Sequence, residues 1–304
     1  MLKLKGGVVP ALTTPFKEDS SLDLPGFRRL VEHVIEDGVH ALLVNGCTGE
    51  SWVLEDDERA QVFKAAVEQA RGRVPVIVGC GAMTIKQAKH KIHQAADAGC
   101  DSVMLQPPWY VMPNNEEVME YYDALLAYSP LPAVIYNIPR RTGITLTVEM
   151  IDKLADHKNV CALKESSKDF LLLSKIIRKT RGRLDVFAGY ANLLGLGAIT
   201  EGAVGYMDSS TPVLGRKSIN FFNAAIGGDL PTARRLQEEM AQLDAGFFGT
   251  GTFPAGVKVA LDMLGRPGGW VREPLKQLNA EQKAKVRAAL VNAGLLSEQA
   301  AAAE

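Results

Sequence analysis

Short apolar segments alternate with amphipathic segments through the first 228 residues of this chain. Each apolar segment has the length of a strand and ends in glycine, proline or polar residues, as a buried parallel strand does where it enters a loop. Eight apolar segments of this kind can be counted along the sequence, with seven amphipathic segments between them. They predict an α/β fold, a (β/α)8 TIM barrel, because a doubly wound sheet more usually contains about five or six strands.

The element boundaries follow from the apolar pattern and from glycine, proline and capping residues. Strands are predicted at residues 7–14, 41–45, 75–78, 102–105, 132–136, 159–164, 184–188 and 202–207. Helices are predicted at residues 24–36, 55–71, 84–99 (with Thr84 as N-cap), 115–128, 147–157, 170–181 and 192–200. From Asp229 the pattern becomes helical, at residues 231–243, 254–264 and 280–296, with a glycine-rich loop at 246–256. We therefore expect a barrel over residues 1–228 and a helical layer packed on it over 229–304, with residues 299–304 frayed.

The composition is ordinary for a globular protein, with 47% hydrophobic and 23% charged residues and a net charge of −1. No long basic run is present, so neither nucleic acid nor a membrane surface is a predicted partner. No apolar segment approaches the roughly 18 residues of a membrane span, and residues 1–7 leave no room for a signal peptide. His90 and His93 lack a third ligand, so no metal site is predicted. The four cysteines are widely spaced and match no zinc or disulfide pattern, which favours a reduced cytoplasmic protein.

Lys164 ends the sixth predicted strand, directly after the apolar residues 160–163. A charged and unpaired lysine in that place would cost several kcal/mol. Burial lowers the pKa of an amine and frees its lone pair to attack a carbonyl group. The alternative is a structural lysine that reaches solvent or pairs with an acid such as Glu165.

Further polar side chains follow other strands, and the carboxyl ends of barrel strands share one mouth. Thr48 lies between Gly46 and Gly49 after the second strand, where backbone N–H groups can bind an anion. Tyr136 ends the fifth strand and can exchange a proton, while Arg141 can bind a carboxylate through two hydrogen bonds. Each feature alone also fits a glycine-containing loop, a barrel-filling aromatic or a surface arginine. Together they are the groups needed to form a Schiff base with a 2-oxo acid.

The chain is similar over nearly its whole length to the dihydrodipicolinate synthase / N-acetylneuraminate lyase family of pyruvate-dependent class I aldolases. The segments that carry the resemblance are Gly-Cys-Thr-Gly-Glu-Ser at 46–51, Tyr-Asn-Ile-Pro at 136–139, Lys-Glu at 164–165 and Gly-Ala-Val-Gly at 202–205. The resemblance implies a lyase of the barrel fold that uses pyruvate or another 2-oxo acid and an aldehyde. It also implies a homotetramer or dimer that works without metal or organic cofactor.

The resemblance further assigns roles to individual residues. Lys164 would form the Schiff base, and Tyr136 would donate and accept the proton. Thr48 would bind the carboxylate of pyruvate, and Tyr110 would complete a proton relay in the site of the neighbouring subunit. Arg141 matches the arginine with which the synthases bind the carboxylate of the second substrate.

Two more positions are predicted to contact substrate, and others differ from the family pattern. Met207 falls where the family places an apolar residue against pyruvate, and Gly189 would leave room beside the lysine. Cys47 stands where the synthases carry a relay threonine, so the relay is altered or passes through water. Asp208 would place a carboxyl group near the mouth. The residues at the positions of the family's lysine-feedback pocket do not resemble its polar set, so no inhibition by lysine is predicted. These residues are Trp52, Asp56, Arg59, Met83, Gln87 and Trp109.

Three functions are therefore considered. The leading hypothesis is a synthase that condenses pyruvate with aspartate semialdehyde. The second is an aldolase or dehydratase that acts on a 2-oxo-3-deoxy sugar acid or a 4-hydroxy-2-oxo acid. The third is a non-catalytic 2-oxo acid-binding paralogue, which the substitutions at Cys47 and Asp208 suggest and which the intact pair of Lys164 and Tyr136 disfavours.

Overall fold

Eight short parallel strands form the centre of the computed structural model, which describes residues 6–297. The strands are β1 (Gly7–Pro10), β2 (Leu42–Val44), β3 (Val76–Gly79), β4 (Ser102–Leu105), β5 (Ala133–Asn137), β6 (Val160–Glu165), β7 (Asp185–Ala188) and β8 (Gly205–Asp208). They pair in the order β1-β8-β7-β6-β5-β4-β3-β2. A parallel bridge between Ala11 and Leu43 joins the two outer strands and closes the barrel. The predicted (β/α)8 TIM barrel is thus confirmed, while the frayed end predicted at 299–304 lies outside the described residues.

Helices follow the strands around the barrel and continue beyond it. They are α1 (Leu24–Asp37), α2 (Asp56–Ala70), α3 (Ile85–Asp97), α4 (Asn115–Tyr128), α5 (Pro139–Thr142), α6 (Val148–Ala155), α7 (Phe170–Thr180), α8 (Ala191–Glu201), α9 (Thr211–Leu214), α10 (Arg216–Ile226), α11 (Leu230–Ala241), α12 (Leu243–Phe247), α13 (Ala255–Met263) and α14 (Ala280–Asn292). None of these helices could span a membrane. The C-terminal helical extension is present, whereas the predicted domain boundary at residue 229 stays a prediction.

Local signals explain where several helices begin and end. The side chain of Thr84 accepts a hydrogen bond of 3.2 Å from Gln87 N, so the predicted N-cap of α3 is confirmed. Asp23 accepts from Gly26 N at 2.9 Å at the start of α1. The same helix ends at Gly38, whose φ of 96° lies in the left-handed region that glycine adopts without strain.

The structure corrects the sequence analysis at four helices and two strand ends. The single-turn helices α5 and α9 were not predicted. Helix α10 was not predicted, because Pro212 and Gly215 interrupt the apolar pattern just before it. The short helix α12 occupies part of the predicted glycine-rich loop. Strand β8 begins at residue 205 rather than 202, since Gly202 caps α8 with a φ of 120°. Strand β1 ends at Pro10, and Leu12 N then donates to Leu43 O across the barrel seam.

The barrel interior contains its own apolar cluster, separate from the larger core between strands and helices. Tyr136, Ala162, Phe187 and Met207 belong to this inner cluster. Side chains alternate between the two faces of a strand, so residue 164 shares the inner face of β6 with residue 162. The inner cluster therefore forms the floor on which the strand-end residues lie.

A buried ion pair connects the C-terminal extension to the loop after β2. Lys258 of α13 pairs with Glu50, and both side chains are almost completely buried. Glu50 also accepts from Arg272 N at 3.2 Å, and Thr14 Oγ1 donates to Gly49 O at 2.8 Å. The loop that carries Thr48 is therefore held from below by residues distant in sequence.

Candidate active site

The carboxyl ends of β5 and β6 open into a cavity of about 260 Å³. Six of the eight predicted site residues line it: Cys47, Thr48, Tyr136, Arg141, Lys164 and Gly189. The other two, Tyr110 and Met207, do not line it. The barrel closure thus brings together residues that the sequence separates by more than a hundred positions.

Lys164 and Tyr136 are direct neighbours across the β5–β6 pairing. The Lys164 Nζ lies 4.6 Å from the centroid of the Tyr136 ring, and the lysine side chain is 5% exposed. This amine makes no hydrogen bond or ion pair to a described residue. Glu165 faces the other side of the strand, where its carboxylate accepts from Asn137 Nδ2 and Ser167 N, each at 2.9 Å. The alternative in which Glu165 pairs with the lysine is therefore excluded.

Burial lowers the pKa of Lys164 to about 8. The neighbouring Cys47 and Asp208 oppose this effect and raise the pKa. About one-tenth of the amine is therefore uncharged at pH 7. The uncharged amine is the form that attacks a carbonyl carbon.

Burial acts in the opposite sense on the acidic groups around this lysine. It raises the pKa of Tyr136 well above the usual value, with smaller contributions from Cys47 and Tyr190, whereas Ser166 and Arg141 lower it. It also raises the pKa of the Cys47 thiol, against the nearby cations Arg141 and Lys164. Both groups are therefore protonated at rest, so the phenol is a proton donor and Cys47 is a neutral thiol.

The loop after β2 presents Thr48 to the cavity in a tight turn. Gly49 N donates to Gly46 O at 3.1 Å and Glu50 N donates to Cys47 O at 3.3 Å. Asn45 and Glu50 have φ values of 56° and 51° in the left-handed region. The turn leaves the Thr48 side chain 5% exposed at the cavity wall, in a position to bind a small anion.

Arg141 reaches the cavity from α5, the short helix after β5. It forms no ion pair with a described residue, and its guanidinium carbon lies 5.9 Å from the centroid of the Phe253 ring. Phe253 stacks on Phe248, with centroids 5.2 Å apart and planes at 8°. The two phenylalanines were not predicted to take part in the site, because they come from the glycine-rich segment after α12. Arg141 is thus free to bind a carboxylate next to an aromatic wall.

Comparison with known proteins matches this arrangement to one family. The model of the dihydrodipicolinate synthetase family matches residues 4–293. The chain belongs to this family. A curated relative, the 4-hydroxy-tetrahydrodipicolinate synthase of Halorhodospira halophila, is 35% identical over 95% of this chain and 97% of the relative.

Solved structures of this family have the same fold. The dihydrodipicolinate synthase of Aquifex aeolicus matches with a TM-score of 0.90 and 32% identity, over 95% of this chain and 98% of that one. A structure described as the first monomeric dihydrodipicolinate synthase variant matches with a TM-score of 0.91 and 29% identity, over 97% and 98% of the two chains. The chain is therefore a lyase of the class I aldolase type.

Asp208 lines the cavity of this synthetase-family barrel, yet all its hydrogen-bonding capacity is directed elsewhere. Its carboxylate accepts from Ala191 N at 3.0 Å, Ser210 Oγ at 2.9 Å, and Thr211 N and Oγ1 at 3.1 and 2.8 Å. Burial raises its pKa, and the bonds from Thr211 and Ser210 oppose that rise. The carboxyl group predicted near the mouth is thus a helix-capping group, which acts on Lys164 only through its charge.

Tyr110 and Met207 lie outside the cavity for different reasons. Tyr110 projects from the loop after β4, with 88% of its surface exposed and a φ of 73°. Met207 is completely buried in the barrel interior, paired in register with Val9. Within one chain, neither side chain reaches the wall of the cavity, so their predicted roles stay predictions. The role of Tyr110 would require a second subunit.

The six positions compared with a lysine-feedback pocket lie together, and two of them, Trp52 and Trp109, also line a cavity that reaches Tyr136. All of them line a cavity of about 760 Å³ beside α2 and α3. Arg59 pairs there with Asp56, and Trp52 is 46% exposed. The absence of inhibition by lysine stays a prediction.

Ser166 was missed by the sequence analysis, although strand alternation places it on the same face as Lys164. It is 3% exposed and lines the cavity, and its hydroxyl makes no hydrogen bond to a described residue. Gly189 lies against it, since a methyl group on Gly189 would come within 1.8 Å of Ser166 Oγ. Glycine is required there for this close approach. Elsewhere in the described part of the chain, no three His, Cys, Asp or Glu side chains are grouped to hold a metal ion.

Proposed function

We propose that this chain condenses pyruvate with aspartate semialdehyde through a Schiff base on Lys164, as a 4-hydroxy-tetrahydrodipicolinate synthase does. The observation that carries the proposal is the buried, unpaired Lys164 amine beside the Tyr136 phenol at the cavity floor. The relative from Halorhodospira halophila, which carries that name, supports the choice of reaction.

The first half of the reaction activates pyruvate. Thr48 and the loop around it bind the carboxylate, and the neutral Lys164 amine attacks the C2 carbonyl carbon. As the C–N bond forms, the nitrogen passes one proton to the carbonyl oxygen, which becomes a hydroxyl group. Tyr136 gives its proton to the resulting hydroxyl group, which leaves as water and produces the iminium ion. The Tyr136 phenolate then removes a proton from C3, which yields the neutral enamine and restores the phenol.

The second half forms the carbon–carbon bond. C3 of the enamine attacks the aldehyde carbon, and the aldehyde oxygen takes the proton from Tyr136. Arg141 holds the carboxylate of the aldehyde during this step. The ammonium group of the bound product gives one proton to the Tyr136 phenolate, and the resulting amine attacks C2 and closes the ring. A proton then passes from the ring nitrogen to the Lys164 nitrogen, and the bond between C2 and Lys164 breaks, which frees the neutral lysine amine and leaves the product as a protonated cyclic imine.

A substitution at Arg141 tests whether aspartate semialdehyde is the second substrate. In Arg141→Ala we expect KM for aspartate semialdehyde to rise at least about tenfold, with KM for pyruvate nearly unchanged, because a charged hydrogen bond contributes about 1.5–3 kcal/mol. Arg140 lines the same cavity, so Arg140→Ala is measured beside it, and a larger rise in KM in Arg140→Ala than in Arg141→Ala would assign the carboxylate to Arg140. An unchanged KM for aspartate semialdehyde in Arg141→Ala would reject the synthase. Parallel assays with 2-oxo-3-deoxy sugar acids and 4-hydroxy-2-oxo acids measure the aldolase or dehydratase alternative.

The assembly and location belong to the same proposal. The loop of Tyr110 also exposes Val111 and Met112, by 63% and 59%, and a second subunit would cover this apolar surface. A homotetramer or dimer is therefore proposed, and light scattering of the purified protein measures it against the monomeric state described for one structural neighbour. All four cysteines are free, which supports the proposed reducing, cytoplasmic environment.

A further inference from the structure

The proposed chemistry requires Tyr136 to exchange its proton repeatedly with water. The phenol is 5% exposed and its pKa is raised well above the usual range, so it needs a neighbouring group that passes protons to it. The charged or titratable neighbours that influence it are Cys47, Tyr190, Arg141 and the adjacent Lys164. Arginine keeps its proton, and the lysine is consumed in the Schiff base. Within one chain, Cys47, Tyr190 and the neutral hydroxyl of Ser166 remain as candidates for the group next to the phenol, whichever side chain a second subunit adds further out.

Cys47 is poorly suited to this exchange. A thiol is a weak hydrogen-bond donor and a weak acceptor. Burial, the largest influence on this thiol, raises its pKa and makes loss of its proton still less favourable. A hydroxyl group that both donates and accepts a hydrogen bond is a better carrier, because it can release one proton while it accepts another.

Ser166 offers such a hydroxyl at the required place. Ser166 N donates to Asn137 O at 2.8 Å, which fixes the residue beside the end of the strand that carries Tyr136. Gly189 N donates to Glu165 O at 2.7 Å, and the bare Cα of Gly189 confines Ser166 Oγ from the other side. The hydroxyl lowers the pKa of the phenol, yet it makes no hydrogen bond of normal geometry to a described residue. Buried hydroxyl groups normally have a hydrogen-bond partner. We therefore expect this hydroxyl to bond to a water molecule, to a substrate or to the phenol.

We propose that Ser166 carries protons between Tyr136 and water in the cavity, in place of the residue at position 47. The proposal rests on the Schiff-base function described above. When Tyr136 is a phenolate, the O–H bond of Ser166 breaks as its proton passes to the phenolate. A new O–H bond forms on Ser166 with a proton from a cavity water, and the hydroxide that remains takes up a proton from solvent. The reverse transfers return a proton from the phenol to water. A cavity of about 260 Å³ has room for several waters, each of which occupies roughly 30 Å³ in the liquid.

The exchange of the pyruvate methyl protons with D2O tests this role without the second substrate. Tyr136 takes a proton from C3 of the iminium ion, and deuterium enters pyruvate only if that proton passes on to solvent before it returns. Nuclear magnetic resonance measures the exchange rate, and borohydride trapping followed by intact mass measures the Schiff base separately. In Ser166→Ala we expect exchange to slow on the order of tenfold or more, with the trapped fraction unchanged at equilibrium.

Two further variants separate the relay from a structural effect. Ser167→Ala is the matched control, because its hydroxyl accepts from Asp169 N instead of lining the cavity, and exchange should stay at the parental rate. Adding Cys47→Thr to Ser166→Ala places a hydroxyl beside Tyr136 again and should recover much of the exchange. The pH at which exchange is half-maximal should also differ from the parental value in Ser166→Ala, and it should return toward the parental value in the double variant.

Each other result overturns the relay. Exchange at the parental rate in Ser166→Ala, together with loss in Tyr190→Phe, assigns the relay to Tyr190. Slow exchange with an equal loss of the trapped adduct, and without recovery by Cys47→Thr, makes Ser166 a binding residue instead. A parent protein that forms no adduct rejects the proposed function itself, and that result is distinguishable from an adduct that forms but exchanges independently of Ser166.

Discussion

Two lysines of this protein are alike in burial, in the direction and size of their pKa shift and in their contact with an aromatic ring. Lys164 and Lys258 are 5% and 1% exposed, and burial lowers the pKa of each to about 8. Each amine lies over an aromatic ring, at 4.6 Å from the centroid of Tyr136 and 4.5 Å from that of Phe16. A search for perturbed lysines would therefore select both.

Their partners distinguish them. The Lys258 amine pairs with Glu50 and donates to Trp270 O at 2.5 Å, and it does not line the strand-end cavity. The Lys164 amine lines that cavity and has no such partner among the described residues. A lowered pKa therefore reports burial, whereas a nucleophile also needs a lone pair that faces open space. Lys258 instead holds the loop that presents Thr48, through Glu50.

Replacement of the two lysines should produce opposite results, and this is the largest expected effect. Lys164→Ala removes the nucleophile, so we expect no borohydride-trapped pyruvate adduct and a loss of condensation activity of roughly 10³-fold or more. Lys258→Met should still form the adduct. Intact mass and peptide mapping after reduction measure both. An adduct on Lys258 in the Lys164→Ala protein would contradict the distinction.

The free energy of unfolding should fall more in Lys258→Met than in Lys164→Ala, although Lys164→Ala loses more activity. Lys258→Met leaves the buried Glu50 carboxylate unpaired, and breaking a buried ion pair from one side costs about 3–5 kcal/mol. Urea unfolding measures this loss in the free energy of unfolding. Adding Glu50→Gln should recover part of it, because the uncompensated charge is removed. If Lys258→Met were as stable as the parent, the pair would not anchor the loop.

The same contrast explains what the sequence could predict. Lys164 and Tyr136 are recognisable because each ends an apolar strand, and a barrel brings strand ends to one mouth. The role of Lys258 was not predictable from its own segment, since its partner Glu50 is more than two hundred residues away. Ser166 could have been found by counting two residues along the strand from Lys164.

Other features were hidden for physical reasons. The bonds of Asp208 to α8 and α9 depend on how three segments pack, so the sequence indicated only a carboxyl group near the mouth. Helix α10 was obscured by Pro212 and Gly215, which resemble the end of a helical pattern. The aromatic wall of Phe248 and Phe253 comes from a segment whose glycines predicted only a loop. The helix was hidden by a misleading local signal, whereas the carboxylate and the aromatic wall depend on tertiary contacts that local patterns do not encode.

The pH dependence of adduct formation would sharpen the comparison. A lysine with a pKa of about 8 is roughly one-tenth neutral at pH 7, so the rate of adduct formation should rise about tenfold from pH 7 to pH 9 and then level off. An ordinary lysine would show a continued rise to about pH 10.4.

Asp208→Asn removes a negative charge that raises the Lys164 pKa, so the midpoint of this pH profile should move to lower pH. Stopped-flow trapping measures the profile, and thermal unfolding checks that the loss of the Asp208 caps leaves the fold intact. A midpoint that does not move would show that Asp208 has no electrostatic effect on the lysine.

The aromatic ring beneath Lys258 provides the smallest effect and the finest test. Phe16 is buried, and its ring lies 4.5 Å from Lys258 Nζ and 4.1 Å from the guanidinium carbon of Arg272. Phe16→Leu keeps an apolar side chain but removes the ring face, so we expect a loss of about 1–2 kcal/mol in urea unfolding, with adduct formation on Lys164 unchanged.

Coupling between Phe16 and Lys258 separates the cation–π interaction from packing. In a double-mutant cycle of Phe16→Leu with Lys258→Met, the coupling should be about 0.5–2 kcal/mol. The control is Phe27→Leu, another buried phenylalanine, whose ring lies against no cation within residues 6–297, and it should show no coupling to Lys258. Equal coupling for both phenylalanines would mean that the ring of Phe16 acts only by filling space. In that case the Glu50 pair and the hydrogen bond to Trp270 O would account for the stabilisation of the charge on Lys258.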